Sequence, residues 1–232
     1  MHASFYDQFA RMGKAIASPG RLRLLDVLTQ GGRTVESLAT AAGLTVANAS
    51  QHLRILAHAH LVVSEKHGLH VHYQIAGPAV ESLLMCLQHT ASEQLAEVTR
   101  LAQTHLRAGD SLEAVDRQEL RRRVAAGEVT LIDVRPADEY AAGHLPGALS
   151  VPLPDLARHL TMLPRNRTVV AYCRGPYCAM SGEAVAELTK RGFRASRLPD
   201  GVLEWRNAGL PTASGAPSAT QARKPRKARR KA

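Results

Sequence analysis

Cys173 and Cys178 are the residues of this chain whose spacing is best suited to chemistry, because a short loop joins them after an apolar segment. The segment Thr168–Tyr172 predicts a buried strand, and a helical pattern begins at Ala179. Backbone N–H groups of such a loop and of a helix N-terminus converge on one point and stabilise an anion. A thiol placed there has a lowered pKa, so Cys173 is a candidate nucleophile; the alternative is a buried structural cysteine.

The composition sets limits on the kind of protein. The 232 residues suffice for one large domain or two small ones, and the three cysteines, at 86, 173 and 178, are too few for a disulfide framework. No apolar segment resembles a signal peptide or is long enough to span a membrane, so we expect a cytoplasmic protein without membrane contact.

The net charge of +10 indicates a polyanion as partner, but much of the excess lies near the end of the chain. The segment Arg223–Lys231 holds seven basic residues and no acidic one. We therefore expect residues 212–232 to form a disordered basic tail. This tail either adds nonspecific affinity for DNA or serves as a solubilising extension.

The first half of the chain predicts a helix-turn-helix motif. A short helix is expected over Thr34–Ala42, a turn follows at Gly43, and a second helix begins near Thr45. The apolar residues of this second helix recur at helical spacing and are expected to face the core; they are Val46, Ala49, Leu53 and Leu56.

Two further elements follow the helix-turn-helix motif. The segments 61–65 and 69–75, with Gly68 between them, predict a β-hairpin, which would form a wing. From Pro78 to about Arg107 apolar residues recur at helical spacing and predict one long helix. The apolar stripe of this helix is either a dimer seam or a surface that packs on the first helix.

Residues from about 5 to 105 resemble the ArsR family of winged-helix repressors, through the segment Leu44–Leu56 and the hairpin behind it. The resemblance implies a homodimer that binds an operator in double-stranded DNA. It also implies a set of DNA contacts in the major groove and, from the wing, in a minor groove or on phosphates. These residues are Thr45, Asn48, Ser50, Gln51, His52 and Arg54 on the helix, and Lys66 and His67 on the wing.

The ligand sites of the ArsR family are missing from this half. Members that bind thiophilic metals carry paired cysteines on the third helix, and persulfide-sensing members carry two cysteines, whereas here only Cys86 is present. His89 and Glu93 form an i,i+4 pair without further ligands, and His70 and His72 share a hairpin face that suits solvent or phosphate. We therefore expect neither a metal nor a cofactor.

The second half of the chain alternates strand and helix patterns. The segments Thr130–Arg135 and Thr168–Tyr172 predict buried strands and Ala195–Leu198 predicts a further strand, with helical patterns between them. This alternation predicts a doubly wound parallel sheet. Cys173 would then lie at the carboxyl end of a strand, which is where such sheets bind ligands.

Residues 112–211 resemble a single-domain rhodanese. Three separated signatures carry the resemblance: Asp133-Val134-Arg135, Tyr140 with His144 to Ala148, and Gly201 with Trp205. The loop in the catalytic position consists of Cys173, Arg174, Gly175, Pro176, Tyr177 and Cys178. Six residues suit a sulfur-sized substrate, whereas related phosphatases and arsenate reductases carry a longer loop, so arsenate is disfavoured.

The reaction that the resemblance implies is transfer of sulfane sulfur. The Cys173 thiolate attacks a small donor, thiosulfate or a persulfide, becomes a persulfide itself, and passes the sulfur to a thiol acceptor. Asp133 and Arg135 are expected to hold the loop in place. Arg174 either steers an anionic donor or is an exposed loop charge. Cys178 either attacks the persulfide as a resolving thiol or is a small residue at a helix start.

The sequence as a whole predicts a mainly α winged helix-turn-helix domain for DNA binding and dimerisation over residues 1–108. An α/β rhodanese-like domain with a parallel sheet follows over 112–211. The leading hypothesis is a transcriptional repressor whose rhodanese domain senses or transfers reactive sulfur. The alternatives are a sulfurtransferase enzyme tethered to DNA and a two-cysteine thiol redox switch.

Overall fold

The chain divides between Ala96 and Glu97 into two units in the computed structural model, which describes residues 2–106 and 116–216. The predicted domain limits at 108 and 112 fall in the segment 107–115, outside the described residues, and stay predictions. The basic end of the predicted tail, from residue 217 onward, also lies outside them.

The first unit begins with four helices, and local sequence signals explain their limits. Pro19 occupies the first turn of α2, and the Thr34 hydroxyl accepts the Ser37 N–H at the start of α3. Gly43 ends α3 in the left-handed conformation, with φ 62°. The helices are α1 (Ala3–Ile16), α2 (Pro19–Thr29), α3 (Val35–Ala42) and α4 (Val46–His58).

The predicted wing is present and has a third strand that the sequence analysis missed. Strands β2 (Val62–His67) and β3 (His70–Ile75) form the hairpin, and β1 (Arg33–Thr34) pairs with β3 on its other side. A strand of two residues is too short to show an alternating pattern, so it left no signal. The prediction that Val46 faces the core is wrong, because its side chain is 49% exposed.

The predicted single helix from Pro78 to Arg107 is also wrong. The structure contains two helices, α5 (Pro78–Gln94) and α6 (Ala96–His105). Leu95 between them has an extended backbone, with φ −114° and ψ 99°, which interrupts the helical hydrogen bonds. Neither glycine nor proline marks the break, so the continuous apolar period predicted one helix.

The second unit contains the predicted parallel sheet. Its four strands are β4 (Val129–Asp133), β5 (Leu149–Ser150), β6 (Thr168–Tyr172) and β7 (Ala195–Arg197), all parallel, in the order β5-β4-β6-β7. Its helices are α7 (Arg117–Ala125), α8 (Ala137–Ala142), α9 (Leu156–His159), α10 (Met180–Lys190) and α11 (Val202–Asn207), with a 3₁₀ turn at Leu153–Asp155.

Helices cover both faces of this sheet and form two apolar cores. On one face the buried side chains include Leu120 of α7, Tyr140 of α8 and Trp205 of α11. On the other face they include Leu156 of α9 and Leu188 of α10. Since both faces are covered, the central strands are apolar on both sides, which is why they read as continuous apolar runs.

The start of the predicted disordered tail is placed too early in the sequence. Ala213 exchanges two backbone hydrogen bonds with His144, of 2.8 and 2.9 Å, and the Gly215 N–H donates to the Ala141 carbonyl. The segment after Pro211 therefore still belongs to the rhodanese-like unit. Its Ala and Ser content concealed a contact that uses only the backbone.

Candidate functional site

Cys173 lies directly after β6 and is buried, with its sulfur inside the turn that leads to α10. The Ser181 hydroxyl oxygen lies 3.1 Å from the Cys173 sulfur. Backbone N–H groups of Gly175 and Ser181 also point to this sulfur. The donors come from the loop and from the first turn of α10, as expected for an anion cradle at a helix N-terminus.

These donors lower the pKa of the Cys173 thiol to about 6. The largest cause is the hydrogen bond from the Cys178 thiol; the Ser181 hydroxyl and the two backbone N–H groups add to it, and burial opposes them. The same hydrogen bond, together with burial, raises the pKa of Cys178. The lowered pKa of Cys173 and the raised pKa of Cys178 favour a thiolate at Cys173 beside a thiol at Cys178, and the thiolate is the nucleophilic form.

Arg197, on β7, is a component of the site that the sequence analysis missed. Its Nε donates to the Ser181 hydroxyl oxygen at 2.9 Å. Its Nη2 donates to the carbonyl oxygens of Pro176 at 2.8 Å and Cys178 at 3.1 Å, and lies 3.5 Å from that of Gly175. The only sequence signal was its position within the short strand predicted near Ala195–Leu198.

Asp133 and Arg135 belong to a buried cluster at the end of β4. The Arg135 guanidinium donates to both Asp133 carboxylate oxygens and to the Gly143 carbonyl. The Tyr172 hydroxyl donates to Asp133 at 2.5 Å and accepts the Leu145 N–H. Since Tyr172 immediately precedes Cys173, this cluster ties the strand end that carries the nucleophile to the 143–145 segment.

Arg174 is not the exposed loop charge that was one of the two roles considered for it, and its steering of an anionic donor stays a prediction. Its guanidinium makes three hydrogen bonds to the Glu139 carboxylate, between 2.6 and 3.2 Å. The Glu139 side chain is fully buried, and that of Arg174 is only 22% exposed. Arg174 is thus not an exposed loop charge. The buried Glu139 carboxylate compensates its positive charge.

The remaining loop residues shape the backbone rather than supply reactive groups. Gly175 is buried with φ 144°, a conformation that favours glycine, and an ideal Cβ there would lie 3.1 Å from the Glu204 carboxylate. Pro176 is half-buried, and Tyr177 is 45% exposed at the loop surface. Gly201 approaches the Cys173 and Arg174 backbone so closely that a Cβ would collide with it.

The recognition helix α4 presents most of the predicted DNA contacts on its outer side. Asn48, Gln51 and Arg54 are exposed, and Ser50 is half-buried. The Thr45 hydroxyl accepts the Asn48 N–H and caps the helix, so Thr45 has a structural role besides its exposure.

His52 does not lie on the exposed side of α4, which corrects the prediction that it faces the groove. A Cβ built on Gly20 of α2 would lie 2.7 Å from the His52 Nε2, so the ring packs directly against α2. Its Nδ1 is buried and has no hydrogen-bond partner among the described residues. Since Ala49, Leu53 and Leu56 are buried, position 52 turns towards the core flank rather than outward.

On the wing, Lys66 and His67 are exposed, as expected for residues that contact DNA. His67 lies 3.4 Å from the Glu65 carboxylate and packs edge-on against His72. Among the described residues, no group of three or more His, Cys, Asp or Glu side chains is arranged to hold a metal ion. In the same residues no helix is long and apolar enough to cross a membrane.

Comparison with known proteins assigns both halves. A Rhodanese-like domain model matches residues 116–208, and a Helix-turn-helix domain model matches residues 16–65. The chain is 47% identical over 215 residues to the HTH-type transcriptional regulator Rv0324 of Mycobacterium tuberculosis, covering 93% of this chain and 94% of that protein. The chain belongs to the HTH-type transcriptional regulators. Within this family it joins a helix-turn-helix domain to a rhodanese-like domain, as predicted.

Other relatives match one half of this regulator. A sulfurtransferase of Allochromatium vinosum is 36% identical over 99 residues, 42% of this chain and 91% of that protein. A solution structure from Mycobacterium bovis, the homodimeric winged helix-turn-helix DNA-binding domain of a possible ArsR-family regulator, is 43% identical. It covers 40% of this chain and 86% of its own, with a TM-score of 0.38. The predictions of a DNA-binding regulator and of a rhodanese-like fold are thus confirmed.

Proposed function

We propose that this regulator binds its operator as a homodimer and that its rhodanese-like domain accepts a sulfane sulfur on Cys173. The observation that carries the sulfur chemistry is the buried Cys173 sulfur, with the Ser181 hydroxyl at 3.1 Å and backbone N–H groups of Gly175 and Ser181 beside it. A persulfide anion has the same charge as the thiolate, so the same donors suit it. Similarity of this half to a sulfurtransferase adds weight.

The chemical step is a displacement at sulfur. The Cys173 thiolate attacks the outer sulfur of a persulfide R–S–SH, a new S–S bond forms, the donor's S–S bond breaks, and R–S⁻ leaves with the electron pair. With thiosulfate the same attack releases sulfite. A thiol acceptor then attacks the outer sulfur and restores the Cys173 thiolate. Neither half-reaction needs an external oxidant or reductant.

The homodimer and its DNA contacts rest on the first unit. Large apolar side chains are exposed along one helix, namely Phe5, Tyr6, Phe9 and Met12 of α1, and others lie at Leu87 and Leu95. Such surfaces are typical of subunit interfaces. Gln51 and Arg54 then enter the major groove, and Lys66 and His67 contact a minor groove or phosphates, in the cytoplasm where bacterial DNA lies.

Coupling between the two activities makes the protein a sulfur-responsive repressor. Each ligand can shift operator affinity only by its differential affinity for the two states of the protein. A persulfide on Cys173 adds a sulfur atom and changes the packing at the start of α10, and a disulfide with Cys178 also removes the negative charge there. We expect this change to weaken operator binding by about 5–150-fold, a typical range for allosteric coupling.

The deciding experiment titrates operator affinity for the wild type, Cys173→Ser and Cys178→Ser, each with and without polysulfide and without reducing agent. Intact mass establishes modification in the same samples. The wild type should lose affinity and Cys173→Ser should keep it. Wild-type affinity that stays within twofold after Cys173 is modified sinks the sensor hypothesis and leaves a sulfurtransferase tethered to DNA.

A thiol redox switch is the second candidate, and the contact between the two cysteines favours it. The Cys173 sulfur lies 3.4 Å from the Cys178 carbonyl oxygen, and the Cys178 thiol is the largest cause of the lowered Cys173 pKa, so the two cysteines are in contact. After persulfide formation, Cys178 can attack the inner sulfur of Cys173, which forms a disulfide and releases HS⁻.

Trypsin separates these end states, because cleavage after Arg174 places the two cysteines on different peptides, 168–174 and 175–190. A persulfide adds one sulfur to the first peptide, and a disulfide joins the two.

A further inference from the structure

We propose that Arg197 is a positioning residue for Cys173: it directs the Ser181 hydroxyl proton to the Cys173 sulfur and withdraws negative charge from the loop carbonyl next to that sulfur. The inference rests on the proposed role of Cys173 as the sulfur acceptor. Arg197 lies on β7, outside the loop 173–178 in sequence, and its guanidinium contacts Ser181 and the Pro176 carbonyl.

The hydrogen bonds of Ser181 determine the direction of its proton. Among the described residues, the Ser181 hydroxyl oxygen has two polar neighbours, the Arg197 Nε at 2.9 Å and the Cys173 sulfur at 3.1 Å. A guanidinium N–H can only donate, so the hydroxyl oxygen accepts from Arg197. The hydroxyl proton then has one acceptor within reach, the Cys173 sulfur, and Ser181 is fully buried, so an unused proton would be unfavourable.

The second contact concerns the Cys178 carbonyl, whose oxygen lies 3.4 Å from the Cys173 sulfur. A thiol could donate to this oxygen, whereas a thiolate or persulfide anion is repelled by it. Arg197 Nη2 donates to the same oxygen at 3.1 Å and draws its negative charge away from the sulfur. The guanidinium charge itself is separated from the sulfur by one hydroxyl group, which further favours the anion.

Only arginine can make both contacts at once. The Nε and Nη2 of a guanidinium form a rigid fork on one edge, and here Nε binds Ser181 while Nη2 binds the carbonyls of Pro176 and Cys178. A lysine at this position keeps the charge but offers a single ammonium group. Lys should therefore support the anion in part, and Gln should support it least.

The test measures Cys173 itself, through the rate of alkylation by iodoacetamide as a function of pH in the full-length protein. Tryptic peptide 168–174 carries Cys173 and no other cysteine, so mass spectrometry follows this residue alone. Arg197→Gln and Ser181→Ala should raise the pH of half-maximal reaction by about one unit or more. Arg197→Lys should give an intermediate shift, and Ser181→Thr, which keeps the hydroxyl, should restore the wild-type profile.

Two controls separate this role from general loop damage. Arg194→Gln removes an exposed arginine three residues earlier, which binds the Asn166 carbonyl, and should leave the profile unchanged. If Arg197 acts through Ser181, Arg197→Gln should shift the profile less in the Ser181→Ala background than in the wild type. If Arg197→Gln shifts the alkylation midpoint equally in both backgrounds, Arg197 does not act through Ser181.

The remaining outcomes are also decisive. The proposal is overturned if Arg197→Lys and a folded Arg197→Gln both show the wild-type pH profile of alkylation. If Arg197→Gln does not fold, the profile of Arg197→Lys decides alone. Alkylation needs no sulfur donor, so this test is independent of sulfur transfer. If the wild type never accepts sulfur, the proposed function is refuted. If the Arg197 variants still shift the alkylation midpoint in that case, the positioning role stands.

Discussion

Gly201 and Cys173 are 28 residues apart in sequence, yet an ideal Cβ on Gly201 would lie 2.8 Å from the Cys173 carbonyl oxygen. The same Cβ would lie 2.6 Å from the Arg174 carbonyl. Both atoms belong to backbone, which cannot move aside as a side-chain end can. The start of α11 therefore supports the catalytic loop through direct contact, and any side chain at position 201 displaces it.

This contact makes Gly201→Ala a selective probe of the loop. We expect a loss of about 1–3 kcal/mol in the free energy of unfolding, from overpacking, and slower alkylation of Cys173. Gly143→Ala is the matched control in the same unit, because its Cβ would meet the nearest atom, on Val202, at an ordinary 3.7 Å. Thermal unfolding and peptide-resolved alkylation measure both effects, and a Gly201→Ala protein identical to the Gly143→Ala control contradicts the argument.

The pKa of Cys173 predicts a pH dependence with a definite sign. Since the folded protein lowers this pKa to about 6, the thiolate and hence the alkylation rate should be nearly maximal at pH 7 and fall as pH drops through 6. In urea the donors disperse, and the midpoint should move up towards the ordinary thiol value of about 8.5. A midpoint that is the same in native and urea-unfolded protein would show that the cradle has no effect.

Cys178 should influence both the reactivity and the end product of Cys173. Its thiol is the largest cause of the lowered Cys173 pKa, so Cys178→Ala should raise the alkylation midpoint, whereas Cys178→Ser retains a donor and should raise it less. With polysulfide, both variants should accumulate the Cys173 persulfide, because no second thiol can displace it. If the wild type treated with polysulfide forms no disulfide and gives the same product as Cys178→Ala, Cys178 has no resolving role.

The ion pair between Glu139 and Arg174 should contribute to stability. Glu139→Gln leaves the Arg174 guanidinium next to a neutral amide in a largely buried site, and we expect a loss of about 1–3 kcal/mol in the free energy of unfolding. Glu119→Gln breaks an exposed pair with Arg122, which solvent screens, and should change the free energy of unfolding much less than Glu139→Gln does. Urea unfolding of the two variants gives the comparison, and equal effects would contradict it.

The recognition helix predicts different outcomes for neighbouring substitutions. Arg54→Ala and Gln51→Ala should each lower specific operator affinity by about 1–3 kcal/mol without loss of the dimer, since both side chains are exposed. His52→Ala should instead lower thermal stability, because its ring packs against α2. Fluorescence anisotropy with operator and with unrelated DNA separates these effects, and unchanged operator binding by a Gln51→Ala, Arg54→Ala double variant would refute the helix assignment.

The sequence by itself determined the two-domain plan and the place of Cys173, the proposed nucleophile. These features depend on local signals: apolar periodicity for α4 and β6, a glycine at the end of α3, and a cysteine between a strand and a helix. Each signal lies within a dozen residues and results from the geometry of the backbone itself. Patterns of this range can be interpreted from the sequence without knowledge of the tertiary contacts.

The tertiary structure alone decided which side chains surround the Cys173 sulfur. Arg197 and Gly201 reach the loop from other segments of the chain, because parallel strands bring their carboxyl ends to one edge of the sheet. The pairing of Arg174 with Glu139 and the inward turn of His52 likewise depend on contacts between distant segments. No local pattern encodes such contacts, since they are set by packing in three dimensions and by the burial of charged and polar groups that must find partners.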